Sequence, residues 1–169
     1  YGQSFDPSEG GLNDKAIYSI FRSRDDIMWV GTYFGGVNFS TSIKKGFRKV
    51  YADGGRSRLS GNAVSEIIET RNNKLWIGTE DGGISIYDPV TGDFQYIKHH
   101  PDDPHSLSSN NVHALEEDVD GNIWIGTFIG GLNKYDSGTG RIETIDLFPL
   151  DSSIIQAVFS VFIDSKDRI

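Results

Sequence analysis

The sequence predicts an all-β chain built from short antiparallel strands, and three observations carry that expectation. One nine-residue frame is written three times, as MWVGTYFGG (28–36), LWIGTEDGG (75–83) and IWIGTFIGG (123–131). The tryptophans of the frame, Trp29, Trp76 and Trp124, are spaced by 47 and then 48 residues. The 20 glycines combine with Asp, Asn and Ser into turn-forming pairs about every ten residues, too often for helices to run between them.

Each unit reads as four runs in a fixed order, clearest in the third. Run A (112–118) is rich in apolar residues and is closed by Asp120-Gly121; run B is Ile123–Thr127; run C covers 131–136; Ser137-Gly138 and Thr139-Gly140 separate it from run D (141–145). The A runs carry apolar residues on both faces, Ile17, Ile20 and Phe21 in one unit and Val64, Ile67 and Ile68 in the next, which fits strands covered from both sides. The C runs alternate better, with Ile84 and Ile86 set against Ser85 and Tyr87. The glycine pair opens run C and is expected there, at Gly82 and Gly83, at positive φ. Linkers rich in Asp, Pro, Ser and Asn, such as HHPDDPHSLSSNN, join each D run to the next A run.

Four-stranded meanders at a period of about 40–50 residues are the signature of β-propeller blades. A parallel β-helix is the weaker rival, because its rungs are shorter. The repeats fall at about 13–60, 61–108 and 109–156, with a partial repeat at 157–169, all within a single propeller segment, 1–169. The partial repeat, in AVFSVFIDSKDRI, matches a run A and its turn, so three blades and one extra strand are expected. Three blades do not close a ring, so the chain reads as a segment of a larger propeller of about seven blades. Its partners are then the remaining blades of a parent chain, or another copy meeting its apolar terminal faces.

The string SLSxNxV, then DxxGxxWIGT, then GGLxxYD, running from Ser106 to Asp136, resembles the two-component regulator propeller repeat. The second unit matches through Leu59, Ser60, Asn62, Val64, Trp76, Gly82, Gly83, Tyr87 and Asp88. The first departs, with Val30, Val37 and Phe39-Ser40 where the repeat has Ile, Leu and Tyr-Asp. The resemblance implies the periplasmic sensor region of an inner-membrane hybrid two-component protein. Glycan-degrading Gram-negative bacteria use such sensors to detect oligosaccharides and control polysaccharide-utilisation genes. It further implies a histidine kinase elsewhere in the parent, a homodimeric parent, and a non-enzymatic role for this segment. A protein-interaction platform and part of a propeller lyase or glycosidase are the rival readings, because fold alone does not choose among them.

Composition narrows the partners. The formal charge of −8 argues against a nucleic-acid surface. No apolar run approaches the ~20 residues of a membrane-spanning helix, so no membrane contact is expected at this segment. The absence of Cys excludes disulfides and thiolate metal sites. No cofactor is expected, since Walker and dinucleotide glycine motifs are missing, as is a Gly-x-Ser-x-Gly nucleophile.

Within the frame, Trp29, Trp76 and Trp124 are expected to fill space between blades, and Gly31, Gly78 and Gly126 to let backbones approach. The two residues before the glycine pair differ in every unit: Tyr33-Phe34, Glu80-Asp81 and Phe128-Ile129. They sit at the tip of the hairpin between runs B and C, on the rim that also collects the long linkers, and are the expected ligand-binding residues. His99, His100, Asp102, Asp103 and His105 lack regular ligand spacing, and prolines interrupt them, so they read as a turn-rich linker and not as a metal site. DVDGN (118–122) reads as a hairpin turn, since Gly121 is fourth where a calcium loop needs Gly sixth. Glu116, Glu117 and Asp118 could supply paired carboxylates, but adjacent strand residues point to opposite faces, which weakens any pairing.

Overall fold

Residues 11–40, 47–50, 58–148 and 154–169 are described by a computed structural model of the chain. They form three four-stranded antiparallel sheets. The first contains β1 (Ile17–Arg22), β2 (Met28–Thr32), β3 (Gly36–Ser40) and β4 (Arg48–Val50). The second contains β5 (Val64–Glu69), β6 (Leu75–Thr79), β7 (Gly83–Tyr87) and β8 (Phe94–Ile97). The third contains β9 (Val112–Glu117), β10 (Ile123–Thr127), β11 (Gly131–Tyr135) and β12 (Ile142–Ile145). Every strand pairs with its neighbour in sequence, which is the meander of a propeller blade. Adjacent sheets touch chiefly through their first strands, β1 on β5 and β5 on β9.

The repeated frame is explained by two closures. Within a blade, the threonine hydroxyl shuts the hairpin. Thr79 Oγ1 donates to Gly83 O and accepts from Gly82 N–H, both at 3.0 Å, and Thr127 repeats the pattern with Gly131 and Gly130 at 3.1 Å. Between blades, the glycine after the tryptophan is a socket. A Cβ on Gly31 would lie 2.6 Å from Val64 Cγ1, one on Gly78 2.8 Å from Val112 Cγ1, and one on Gly126 2.8 Å from Val158 Cγ1. Each blade thus receives the first branched residue of the following run A. The tryptophan rings fill the space beside that contact. Trp29 lies 6.0 Å from the Tyr87 ring of the second blade, and Trp76 meets Tyr135 of the third edge-on at 5.1 Å. Two apolar clusters result, one between each pair of adjacent sheets. Trp124 is only half-buried; its Nε1 donates to Asp118 Oδ2 at 3.1 Å and Lys134 Nζ sits 5.2 Å from the ring centre.

Three expectations are corrected. Run A of the first unit is not covered on both sides: Ile20 is 65% exposed, whereas its counterpart Ile67 is 2% exposed. The reason is position. Ile67 faces the first sheet, and among the described residues no sheet stands on the equivalent side of β1. The extra strand at 157–169 is not assigned as a strand. The segment follows the path of a run A, with Val158 N–H bonded to Thr127 O and a turn closed by Asp164 and Arg168. It lacks the ladder that runs β1, β5 and β9 gain from the strand after the turn. Finally, positive φ belongs to the second glycine of each pair, Gly36 (69°), Gly83 (79°) and Gly131 (69°), and not to Gly82. Gly82 is constrained differently, because a Cβ there would lie 2.3 Å from the Ser60 carbonyl.

Candidate functional site

The rim carrying the variable residues is built by backbone ties. Tyr33, Glu80 and Phe128 each donate an N–H to the residue preceding a strand A: Ala16 O (3.0 Å), Ala63 O (2.9 Å) and Asn111 O (2.9 Å). Gly36, Gly83 and Gly131 in turn donate to Asn62, Asn110 and Gln156 of the following unit. The linkers are fixed from beneath by a buried polar residue in each third strand. Asn133 bonds Ser108 through its N–H (3.0 Å) and its hydroxyl (2.8 Å), Ser85 accepts from Ser60 N–H (2.8 Å), and Asn38 exchanges hydrogen bonds with Asn13. Sequence reasoning did not single these out. Their signal was a polar residue at the inward position of an otherwise apolar run C.

The variable pairs fall into two roles. The first member of each pair joins a row of side chains that crosses the blades. Tyr33 packs on Phe34 (ring centroids 4.2 Å apart) and on Tyr18 (4.9 Å). The Tyr18 phenol is pushed up by partial desolvation and by the neighbouring Glu80 carboxylate. Glu80 Oε1 lies 3.9 Å from His113 Nδ1. His113 then meets Phe159 at 4.9 Å and Phe128 at 6.1 Å, and Phe128 meets Phe159 at 5.7 Å. The second members are placed differently. Phe34 and Ile129 are exposed, at 74% and 62%. The Asp81 carboxylate accepts the N–H groups of Asn62 and Ala63, both at 3.3 Å, and so anchors a linker. In the first blade Asp14 does similar work: the N–H of Phe34, with those of Ala16 and Lys15, holds its carboxyl below the usual carboxylate range.

Tyr18, His113 and Phe159, which stand beside Tyr33 and Phe128 on this rim, were not singled out from the sequence. They are the second residue of each run A, and with Ser65 they make the set Tyr, Ser, His, Phe at one repeat position. An aligned repeat shows that position changing chemical class in every unit, as the variable pair does.

The opposite rim is architectural. Asp118 accepts from Asp120 N–H, from Asn122 through backbone and side chain, and from Trp124 Nε1. Burial alone would raise its carboxyl; the hydrogen bonds together outweigh this and hold it below the usual range. Glu117 accepts from Arg71 N–H of the preceding blade, as Glu69 accepts from Arg24 N–H. In the histidine-bearing linker His99 Nδ1 lies 2.7 Å from Leu107 O, and Asp103 Oδ1 accepts from His105 N–H. Among the described residues no cluster of three His, Asp or Glu side chains could hold a metal. A cavity of about 300 Å³ lies among Trp29, Phe39, Tyr87 and Phe94 at the blade interface; none of the variable residues lines it.

One half-buried carboxyl is held at a cost. Glu66 pairs with Gly78 in the β5–β6 ladder. Burial pushes its carboxyl up, against the Ile67 N–H, and Glu116 adds to the rise. A raised carboxyl favours the folded state when protonated, and that contribution is lost as pH rises through its folded value. Glu66→Gln is therefore expected to stabilise the protein at pH 7, and the gain should vanish below about pH 4.5. Urea denaturation of both forms at the two pH values measures it; equal stability at pH 7 would contradict the assignment.

The comparisons with known proteins agree with this architecture. A family model described as two component regulator propeller matches residues 11–34, 58–81 and 106–128, the linker and first hairpin of each blade. No curated protein matches the chain. Among solved structures, the extracellular domain of the hybrid two-component system BT4673 from B. thetaiotaomicron is 28% identical, with a TM-score of 0.71 over 96% of this chain and 21% of that one. The corresponding domain of BT3049 from the same organism is 23% identical, with a TM-score of 0.75 over 88% of this chain and 20% of that one. Virginiamycin B lyase from Staphylococcus aureus shares the fold at 12% identity, with a TM-score of 0.67 over 92% of this chain and 48% of that one. The chain thus spans about a fifth of the length of the two-component domains it matches.

Proposed function

We propose that this chain, built from repeats of the two-component regulator propeller family, belongs to the extracytoplasmic sensing region of a hybrid two-component system and helps bind a neutral oligosaccharide. The observation that carries the reading is the rim: exposed aromatic rings from two blades flank a carboxylate, on backbone fixed by the ties described above. Aromatic faces stack on sugar rings, and a carboxylate accepts hydrogen bonds from hydroxyls. The net charge of −8 disfavours strongly anionic glycans. The segment itself is non-catalytic in this reading. Its parent carries a histidine kinase across an inner membrane, works as a homodimer, and completes a ring of about seven blades on the periplasmic side. Ligand binding controls polysaccharide-utilisation genes by favouring one arrangement of that parent over another.

Tyr33→Ala, Phe34→Ala and Phe128→Ala are each expected to weaken binding of the cognate saccharide by on the order of 1 kcal/mol or more. Fold stability should change far less. Calorimetric titration of the three variants in the full protein checks this. Wild-type affinity in all three would remove the rim from the ligand site.

A further inference from the structure

The ladders contain an irregularity at one repeated place. The register shifts between Ile17 and Ser19 in β1, between Val64 and Glu66 in β5, and opposite Gly126 and Thr127 in β9, where Val112 and Ala114 are the paired residues. The residues left out of the ladder are Tyr18, Ser65 and His113. A bulge adds an unpaired residue and re-aims its side chain, and bulges recur at functional rims. Here they turn Tyr18 toward Tyr33, and His113 toward Glu80, Phe128 and Phe159. The middle blade differs from its neighbours. Its bulge residue is the small Ser65, whose hydroxyl is committed to Val112 O at 2.6 Å, and its hairpin residue is Glu80. Exposed rings on either side, Tyr18 and Phe159, flank a recessed pair, since the Glu80 and His113 side chains are only 21% and 18% exposed.

We infer that the bulge residues and hairpin tips form one continuous binding lane across consecutive blades, with Glu80 and His113 as its specificity-determining pair. The lane takes a linear neutral oligosaccharide of at least three units. One sugar ring stacks on the Tyr18–Tyr33 platform, one on the Phe128–Phe159 platform, and the unit between gives its hydroxyls to the Glu80 carboxylate and the His113 imidazole. Two platforms on either side of a polar recess suit a chain of sugars better than a single ring, so length is part of what is recognised. Rings on both platforms add contacts without a second loss of overall freedom. The inference deepens the function proposed above and rests on it.

The test is calorimetric titration of the full protein with neutral mono-, di-, tri- and tetrasaccharides from β-1,4-glucan, β-1,4-xylan, β-1,4-mannan and α-1,4-glucan. The expected result is that one series binds, with affinity rising about tenfold or more between the mono- and trisaccharide. Glu80→Gln and His113→Ala should each lower trisaccharide affinity by about tenfold, a larger loss than either causes for the monosaccharide. His113→Gln, which keeps a hydrogen-bonding group, should lose less. If affinity falls in Tyr33→Ala or Phe128→Ala but is untouched by Glu80→Gln and His113→Ala, the lane is wrong and the rim function stands. A monosaccharide binding as tightly as the longer sugars likewise overturns the lane. If no saccharide in the panel binds the wild type, lane and proposed function fall together.

Discussion

Trp76→Ala is expected to destabilise the protein by about 3–5 kcal/mol. The ring is 5% exposed and lies in the cluster that includes Leu115, Ile123 and Ile142 of the next blade, edge-on to Tyr135 at 5.1 Å. Around it β6 and β9 are fixed by their own ladders and by the close approach of Val112 to Gly78, which limits relaxation into the vacated volume. The loss therefore combines the transfer of a large apolar group with the cavity it leaves. Trp76→Phe keeps an aromatic ring against Tyr135 and should cost clearly less. Urea denaturation with a shared m-value measures both. A loss under about 1 kcal/mol for the alanine variant would mean that the tryptophan does not bind the blades together.

Gly82→Val should be comparably damaging, and a set of three glycines separates the causes. A Cβ at Gly82 would sit 2.3 Å from the carbonyl carbon and oxygen of Ser60. That neighbour is backbone, and Ser60 is itself pinned by Ser85, so the linker has nowhere to move. Gly82→Ala is expected to cost about 3 kcal/mol and Gly82→Val more. At Gly83 two penalties combine, a φ of 79° and a Cβ 2.5 Å from Ile97 O. At Gly92 φ is also 79°, but nothing lies within 4 Å. Gly92→Ala should thus show the conformational penalty alone, about 1–2 kcal/mol. Thermal or urea denaturation of the single variants checks the order. If Gly92→Ala proves as costly as Gly82→Ala, close approach to the linker is not what requires glycine at 82.

Much of this architecture is legible in the sequence because the repeat presents one packing problem three times. The strands observed in the third unit, Val112–Glu117, Ile123–Thr127, Gly131–Tyr135 and Ile142–Ile145, lie within a residue of the runs read from turn chemistry and apolar pattern. What the sequence conceals is whatever depends on neighbours across blades. Ile20 and Ile67 occupy the same place in the repeat, yet one is exposed and the other buried, because burial is set by the adjoining sheet. Gly82 and Gly83 look interchangeable, but one is confined by a linker and the other by its own dihedral. At the rim, Tyr33, Glu80 and Phe128 are visible as variation inside a fixed frame. Tyr18, His113 and Phe159 vary in the same way but lie outside that frame, and a strand pattern does not mark the bulges that set Tyr18 and His113 on the rim. Asp81, expected among the ligand-binding residues, has its carboxylate on the Asn62 and Ala63 N–H groups.

The central claim is that the rim senses a neutral oligosaccharide, and thermal unfolding of the full protein across a saccharide panel tests it most directly. A ligand selective for the folded state raises its stability by about 2.7 kcal/mol at a hundredfold excess over Kd. A saturable rise in Tm with one neutral oligosaccharide series is expected, abolished when Tyr33 and Phe128 are both replaced by alanine. No rise with any saccharide, together with a rise on adding a protein partner from the same envelope compartment, would contradict it.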